Sequence, residues 1–128
     1  MEKNVKEIII RKEKGGNMES VYIEKDKLLL IKIIEDIDEC SAQKIRRKAD
    51  NEIERYMPKR VIFDFNSVSF MDSAGIGMLI GRYKIVNMFG GKMELANLSG
   101  SIKRIFEMSG VLRLIPEIIF DEDNEKRA

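Results

Sequence analysis

Val61-Ile62-Phe63-Asp64-Phe65, followed shortly by Phe70-Met71-Asp72-Ser73-Ala74-Gly75-Ile76-Gly77, is the stretch on which the fold turns. The first segment is β-branched and aromatic with few polar positions, which predicts a strand covered on both faces. The second opens an apolar-periodic run, which predicts a helix from about Ala74 to Phe89. Ser73 then sits at or next to a helix start, beyond the end of a buried strand. Backbone N–H groups point outward at such a start, and the helix dipole favours negative charge. A phosphate on that hydroxyl would be stabilised without unfolding anything. On position alone the simpler reading is that Ser73 or Asp72 is an N-cap, since both residue types are preferred there.

The neighbouring segments extend the pattern. Val21 and Ile23 alternate with polar residues, predicting a strand from about Met18 to Glu24. Asp26-Lys27 reads as a turn and Leu28 to Ile34 as a second strand, antiparallel because the link is short. Asp38 is placed to cap a helix running to about Met57, in which Ala42, Ile45, Ala49, Ile53 and Tyr56 share one face. Pro58 ends it. On the other side, Gly90-Gly91 is a stop signal and Lys92 to Ala96 a strand. Ser99 caps a short helix with Ile102, Ile105 and Phe106 as its apolar stripe, and Gly110 closes it. Glu117 to Phe120 is a last short strand, and Asp121 is placed to cap a final turn of helix.

Strands alternating with helices indicate an α/β domain over residues 18–128. Its sheet is mixed and mostly parallel, covered by helices and opened by an antiparallel hairpin. Residues 1–17 read as an N-terminal extension. Basic residues flank Ile8-Ile9-Ile10, and Gly15-Gly16-Asn17 ends the stretch. It is either a flexible tail or an extra edge strand. Because the two-layer pattern is complete from Met18, it is expected to be dispensable for folding.

The helix after Ser73 is apolar on two sides. Ile76, Leu79, Ile80, Tyr83 and Val86 form a core stripe, while Met78, Ile85 and Phe89 lie elsewhere, beside Arg82. A helix covering a sheet needs one stripe, so the second set touches either a neighbouring helix or a partner. Gly77 and Gly81 share a face and read as packing devices that admit another backbone.

Composition narrows the chemistry. A chain of 128 residues suits one core, and a formal net charge of +1 gives no global basic field for nucleic acid or membrane. Histidine is absent, which removes a Ser-His-Asp triad, a Cys-His pair and a histidine metal site. Cys40 stands alone, with no disulfide framework and no Cys-rich zinc site. The apolar runs are too short to span a bilayer and no signal peptide opens the chain, so a cytoplasmic location is the default. No catalytic residue, cofactor or metal is expected.

At these residues the chain resembles the STAS domains, and within them the bacterial anti-sigma-factor antagonists. The nearest likeness is to the sporulation antagonist that opposes a serine-kinase anti-sigma factor. The likeness is carried by Ser69 to Gly77, by Gly81-Arg82-Tyr83-Lys84, by Gly90-Gly91, and by Ile102 to Gly110 with its Met108-Ser109-Gly110. It covers about Met18 to Phe120. What it implies is a partner-switching regulator that is a substrate rather than an enzyme. The dephosphorylated form would bind an anti-sigma serine kinase and free the sigma factor. The kinase would inactivate it by phosphorylating Ser73, and a phosphoserine phosphatase would reset it. The partner-binding residues implied are Asp38, Asp72, Ser73, Ala74, Gly75, Met78 and Arg82, with no direct contact to nucleic acid or membrane.

Two departures bear on partner contact. Family members often read Gly-Glu-Leu-Asp before the first helix, where this chain has Glu35-Asp36-Ile37-Asp38, and the last helix is shortened to Asp121–Ala128. If the strands before Asp38 and Ser73 are parallel, Glu35, Asp36, Asp38 and Glu39 fall near Asp72 and Ser73. The result is either a solvated acidic loop or an acidic face for a basic partner. Three rivals remain. One is a STAS interaction module of a stress-signalling complex or a lipid transporter. Another is a nucleotide-binding protein using Gly75 to Gly81, which lacks a phosphate-binding lysine motif. The third is a phospho-receiver built on Asp64 and Asp72, for which a full acidic set cannot be assembled.

Overall fold

A computed structural model describes residues 9–13 and 16–121. Six strands form one sheet in chain order: β1 (Ile9–Glu13), β2 (Met18–Ile23), β3 (Leu28–Ile33), β4 (Arg60–Asp64), β5 (Lys92–Ala96) and β6 (Glu117–Ile118). The first three pair antiparallel; β3 through β6 pair parallel. Between the parallel strands run α1 (Glu39–Tyr56), α2 (Ser73–Met88) and α3 (Gly100–Ser109). Parallel neighbours in sequential order require crossovers of one hand, which lay every helix on the same face.

The burial pattern agrees. Leu29, Ile31, Ile33, Val61, Phe63, Met93 and Leu95 pack with the apolar stripes of the helices in one core. The alternate strand residues Val21, Ile23, Leu28, Leu30, Ile62 and Ala96 form a second cluster to which no described helix contributes. Period-two alternation thus sorts the strands between two apolar faces, as the near-continuous apolar run of β4 required. Aromatic pairs fix the helices at the sheet margins. Tyr56 of α1 stacks on Tyr22 of β2 with centroids 4.1 Å apart, and Phe106 of α3 meets Phe65 edge-on at 5.4 Å.

The helix signals act as read. Asp38 and Ser99 cap α1 and α3, and Gly110 ends α3 in a left-handed conformation at φ 81°. The turn before β3 is a single 3-10 turn, Glu24–Asp26, closed by Lys27 at φ 49°. Residues 9–13 are an edge strand hydrogen-bonded to β2, so the sheet is not complete from Met18, and the ground for calling residues 1–17 dispensable falls. The final helical turn after Asp121 lies outside the described residues.

Candidate functional site: the acceptor loop and the strand-end edge

Parallel strands end on the same side, so the N-termini of α1, α2 and α3 open onto one edge. The loops leading to α1 and α2 are stitched together there. Ile37 and Met71 form an isolated parallel bridge; the Ile37 N–H donates to the Phe70 carbonyl at 3.1 Å and the Asp72 N–H to the Ile37 carbonyl at 3.2 Å. Asp36, Asp38, Asp72 and Ser73 are thereby brought to one edge, as the charge pattern anticipated.

The cap of α2 is Asp72, whose carboxylate accepts the Ala74 N–H at 2.9 Å. Ser73 is the first helical residue, exposed, and its hydroxyl forms no hydrogen bond among the described residues. The capping role and the exposed hydroxyl are therefore divided between two neighbours. Ala74 is half-buried beside them.

The acidic residues are not simply solvated. Asp38 makes a reciprocal capping box with Ser41: its carboxylate accepts the Ser41 N–H at 2.9 Å and its own N–H donates to the Ser41 hydroxyl at 2.9 Å. The Ser41 N–H holds the Asp38 carboxyl below the usual aspartate range. Asp36 accepts the N–H groups of Ser69 at 2.8 Å and Phe70 at 3.0 Å, which lower its pKa in the same way. Both carboxylates are ionised near neutrality, and both stay at the surface.

The other expected contact residues lie deeper. Gly75 is buried, and a Cβ there would collide with the Met71 side chain and come within 3.2 Å of Ile37. It is a close-packing glycine beneath the edge. Met78 and Arg82 are each only 5% exposed. Of the second set on this helix, Met78 belongs to the main core and Ile85 packs against it, whereas Phe89 stays 47% exposed. Arg82 Nε lies 2.7 Å from Asp50 Oδ1 of α1 as an ion pair, and its Nη1 donates to the Met78 carbonyl at 3.3 Å. Burial pushes the Arg82 pKa down while Asp50 opposes that shift. Apolar packing and ion pairing thus hold Gly75, Met78 and Arg82 largely beneath the outer surface, with Met78 and Arg82 bordering the groove between α1 and α2.

Gly77 and Gly81 differ in the opposite sense. A Cβ at either would meet nothing within 4 Å. They admit no backbone within the domain and instead line a groove of about 350 Å³ between α1 and α2, with Ala42, Arg46, Met78 and Arg82. Being inside a helix, their N–H groups are not a free phosphate cradle, which removes the structural basis of the nucleotide-loop reading. Asp64 is likewise occupied, accepting the Asn66 N–H at 2.9 Å and the Asn97 amide at 3.0 Å.

The profile of the STAS domain matches residues 19–125, most of the chain and all strands from β2 onward. The chain belongs to the STAS domain family. An anti-sigma F factor antagonist from Paenibacillus polymyxa is 28% identical over 96 residues, spanning 75% of this chain and 80% of that protein. Among solved structures, the anti-sigma factor antagonist SpoIIAA in its unphosphorylated form superposes with a TM-score of 0.67 at 23% identity, over 91% of this chain and 93% of the other. The phosphorylated form of the Bacillus cell-fate determinant SpoIIAA gives 0.61 at the same 23% identity, over 91% and 96%. The STAS fold read from Ser69–Gly77 and its companion segments is the fold of this chain. No helix among the described residues is long and apolar enough to cross a membrane.

Proposed function

We propose that this STAS protein is a phosphorylation-controlled anti-sigma-factor antagonist. Its unphosphorylated strand-end edge docks on an anti-sigma serine kinase and displaces the sigma factor. Phosphorylation at Ser73 ends that interaction, and a phosphoserine phosphatase restores it. The chain is a ligand and a substrate in this cycle, not a catalyst. The relative named as an anti-sigma F factor antagonist supports the class. The observation that carries the switch is the exposed Ser73 hydroxyl at the first turn of α2, beside a cap already filled by Asp72.

That division explains how a phosphate acts without refolding the domain. The Ala74 N–H is held by the Asp72 carboxylate and the Gly75 N–H lies 3.0 Å from the Asp72 carbonyl. The phosphate therefore finds these helix-start donors taken and stays outside the fold. It adds about −1.5 to −2 charges and three strong acceptors to an edge that already carries Asp36, Asp38 and Asp72. The helix N-terminus offsets only about 0.3–1 kcal/mol of this at an exposed position. The change falls on a docking face, by repulsion and by bulk, with the core untouched. Incubation with an anti-sigma serine kinase and Mg-ATP, followed by phosphosite mapping, tests the assignment. Label on Ser73 is expected; label mainly on Ser67, Ser69 or Ser99 contradicts it.

A further inference from the structure

Asp36 caps no helix, because α1 is capped by Asp38. Among the described residues its hydrogen bonds go to a loop more than thirty positions further along the chain, at Ser69 and Phe70. Oδ1 accepts the Ser69 N–H at 2.8 Å and the Phe70 N–H at 3.0 Å, and the Ser69 hydroxyl lies 3.1 and 3.2 Å from the two carboxylate oxygens. The chain of contacts continues. The Ser69 carbonyl accepts the Ser101 hydroxyl at 3.0 Å, and that hydroxyl is 3.2 Å from Ser99, the cap of α3. One carboxylate thus ties the loop before α2 to the loop before α1, and two serines extend the tie to α3. Hydrogen bonds to an ionised acceptor are the stronger kind, and several converging donors give a fixed geometry. Phe70 is 55% exposed, although Val68 and Met71 of the same loop are buried.

We propose that Asp36 is a positioning residue: its carboxylate fixes the loop of residues 69–72 and so sets the direction in which Ser73 is presented to a phosphoryl donor. This rests on the reading of Ser73 as phosphoacceptor. In that step Ser73 Oγ forms a bond to the γ-phosphorus of ATP held by the kinase. The bond to the bridging oxygen breaks, ADP leaves with that electron pair, and the hydroxyl proton passes to a base on the kinase or to water. Asp36 touches none of these atoms. It acts by holding the nucleophile in place, where small misplacements are costly to rate.

The experiment compares wild type, Asp36→Ala, Asp36→Asn and Asp36→Glu as substrates of a purified anti-sigma serine kinase with Mg-ATP. The kcat and KM for the chain are read separately, beside thermal melts and amide exchange at Ser69 and Phe70. In Asp36→Ala, kcat is expected to fall roughly tenfold, within the range that loss of orientation produces, with a smaller change in KM. Asp36→Asn loses less, Asp36→Glu recovers most of the rate, and exchange accelerates at Ser69 and Phe70 while the interior of α2 is unaffected. An unchanged kcat in folded Asp36→Ala overturns the proposal. So does a loss that follows the melting temperature and is not recovered by Asp36→Glu. If Asp36→Ala has no cooperative melt, Asp36→Asn decides by the same criteria. Failure to label Ser73 in wild type overturns the phosphoacceptor reading, and the positioning role with it. Labelled wild type with insensitive variants overturns the positioning role alone.

Discussion

The Asp72 carboxylate accepts the Ala74 N–H at 2.9 Å, so the residue that caps α2 and the residue that presents the hydroxyl are neighbours with separate tasks. A serine that capped its own helix would exchange its hydroxyl acceptor for phosphate oxygens, so that modification would act on the helix start as well as on the surface. Ser73 has no such bond among the described residues, so its modification changes the surface and leaves the helix start intact.

Stability should separate the two residues. Ser73→Ala is expected to change unfolding free energy by no more than about 0.5 kcal/mol, as for an exposed residue away from special features. Asp72→Ala removes the cap and is expected to cost about 0.5–2 kcal/mol. Urea unfolding of both variants checks the contrast. Equal losses would mean that Ser73 shares the cap.

The seam between α1 and α2 depends on Arg82 and Asp50, 2.7 Å apart with the arginine side chain 7% and the aspartate 34% exposed. Arg82→Ala leaves Asp50 without its partner and removes a buried stem, and about 1–3 kcal/mol of stability is expected to be lost. Asp50→Asn should lose less, because a neutral acceptor remains. Denaturant melts of the two variants test the order.

The glycines of α2 should respond with opposite signs. Gly75→Ala drives a methyl group into Met71 and is expected to destabilise by about 1–3 kcal/mol. Gly77→Ala and Gly81→Ala meet open space and are expected to gain about 0.4–1 kcal/mol each through the less flexible unfolded chain. Thermal melts of the three single variants decide it.

Much of the architecture was readable because its causes are local. Asp38, Ser99 and Gly110 announce helix ends through their own side chains or lack of one, and the alternation of Val21 and Ile23 with their neighbours announces β2. The Ser73 edge was readable for a topological reason: parallel strands deliver their following helices to one side. What stayed hidden depends on distant packing. Met78 and Arg82 look like surface residues on a second helical stripe until α1 lies against them. Gly75, Gly77 and Gly81 are alike as letters, yet one is crowded and two are open. Asp36 looked like one acid among several, since nothing nearby in sequence reveals that its donors are Ser69 and Phe70.

Acid should loosen this edge in a defined direction. Asp36 and Asp38 have folded-state pKa values below their ordinary values because backbone N–H groups donate to the ionised form. Their contribution is fully present above the unfolded aspartate pKa of about 3.9, and it is lost as pH falls through the lower folded values. Carboxyl carbon chemical shifts followed by NMR through that window should show both groups titrating below ordinary aspartates. In the same window the Ser69, Phe70 and Ser41 amide resonances should move. Titration at the ordinary value would mean that the bonds do not persist in solution.

The central claim is that phosphate on Ser73 switches partner affinity while the fold stays as it is. Calorimetric titration of a purified anti-sigma serine kinase with the unphosphorylated chain and with enzymatically phosphorylated chain tests it most directly, with thermal melts of both forms alongside. Tight binding of the unphosphorylated form is predicted, at least tenfold weaker binding of the phosphorylated form, a difference of about 1.4 kcal/mol or more, and melting temperatures that nearly coincide. Equal affinity of the two forms, or weakened binding accompanied by loss of the cooperative melt, would contradict the account.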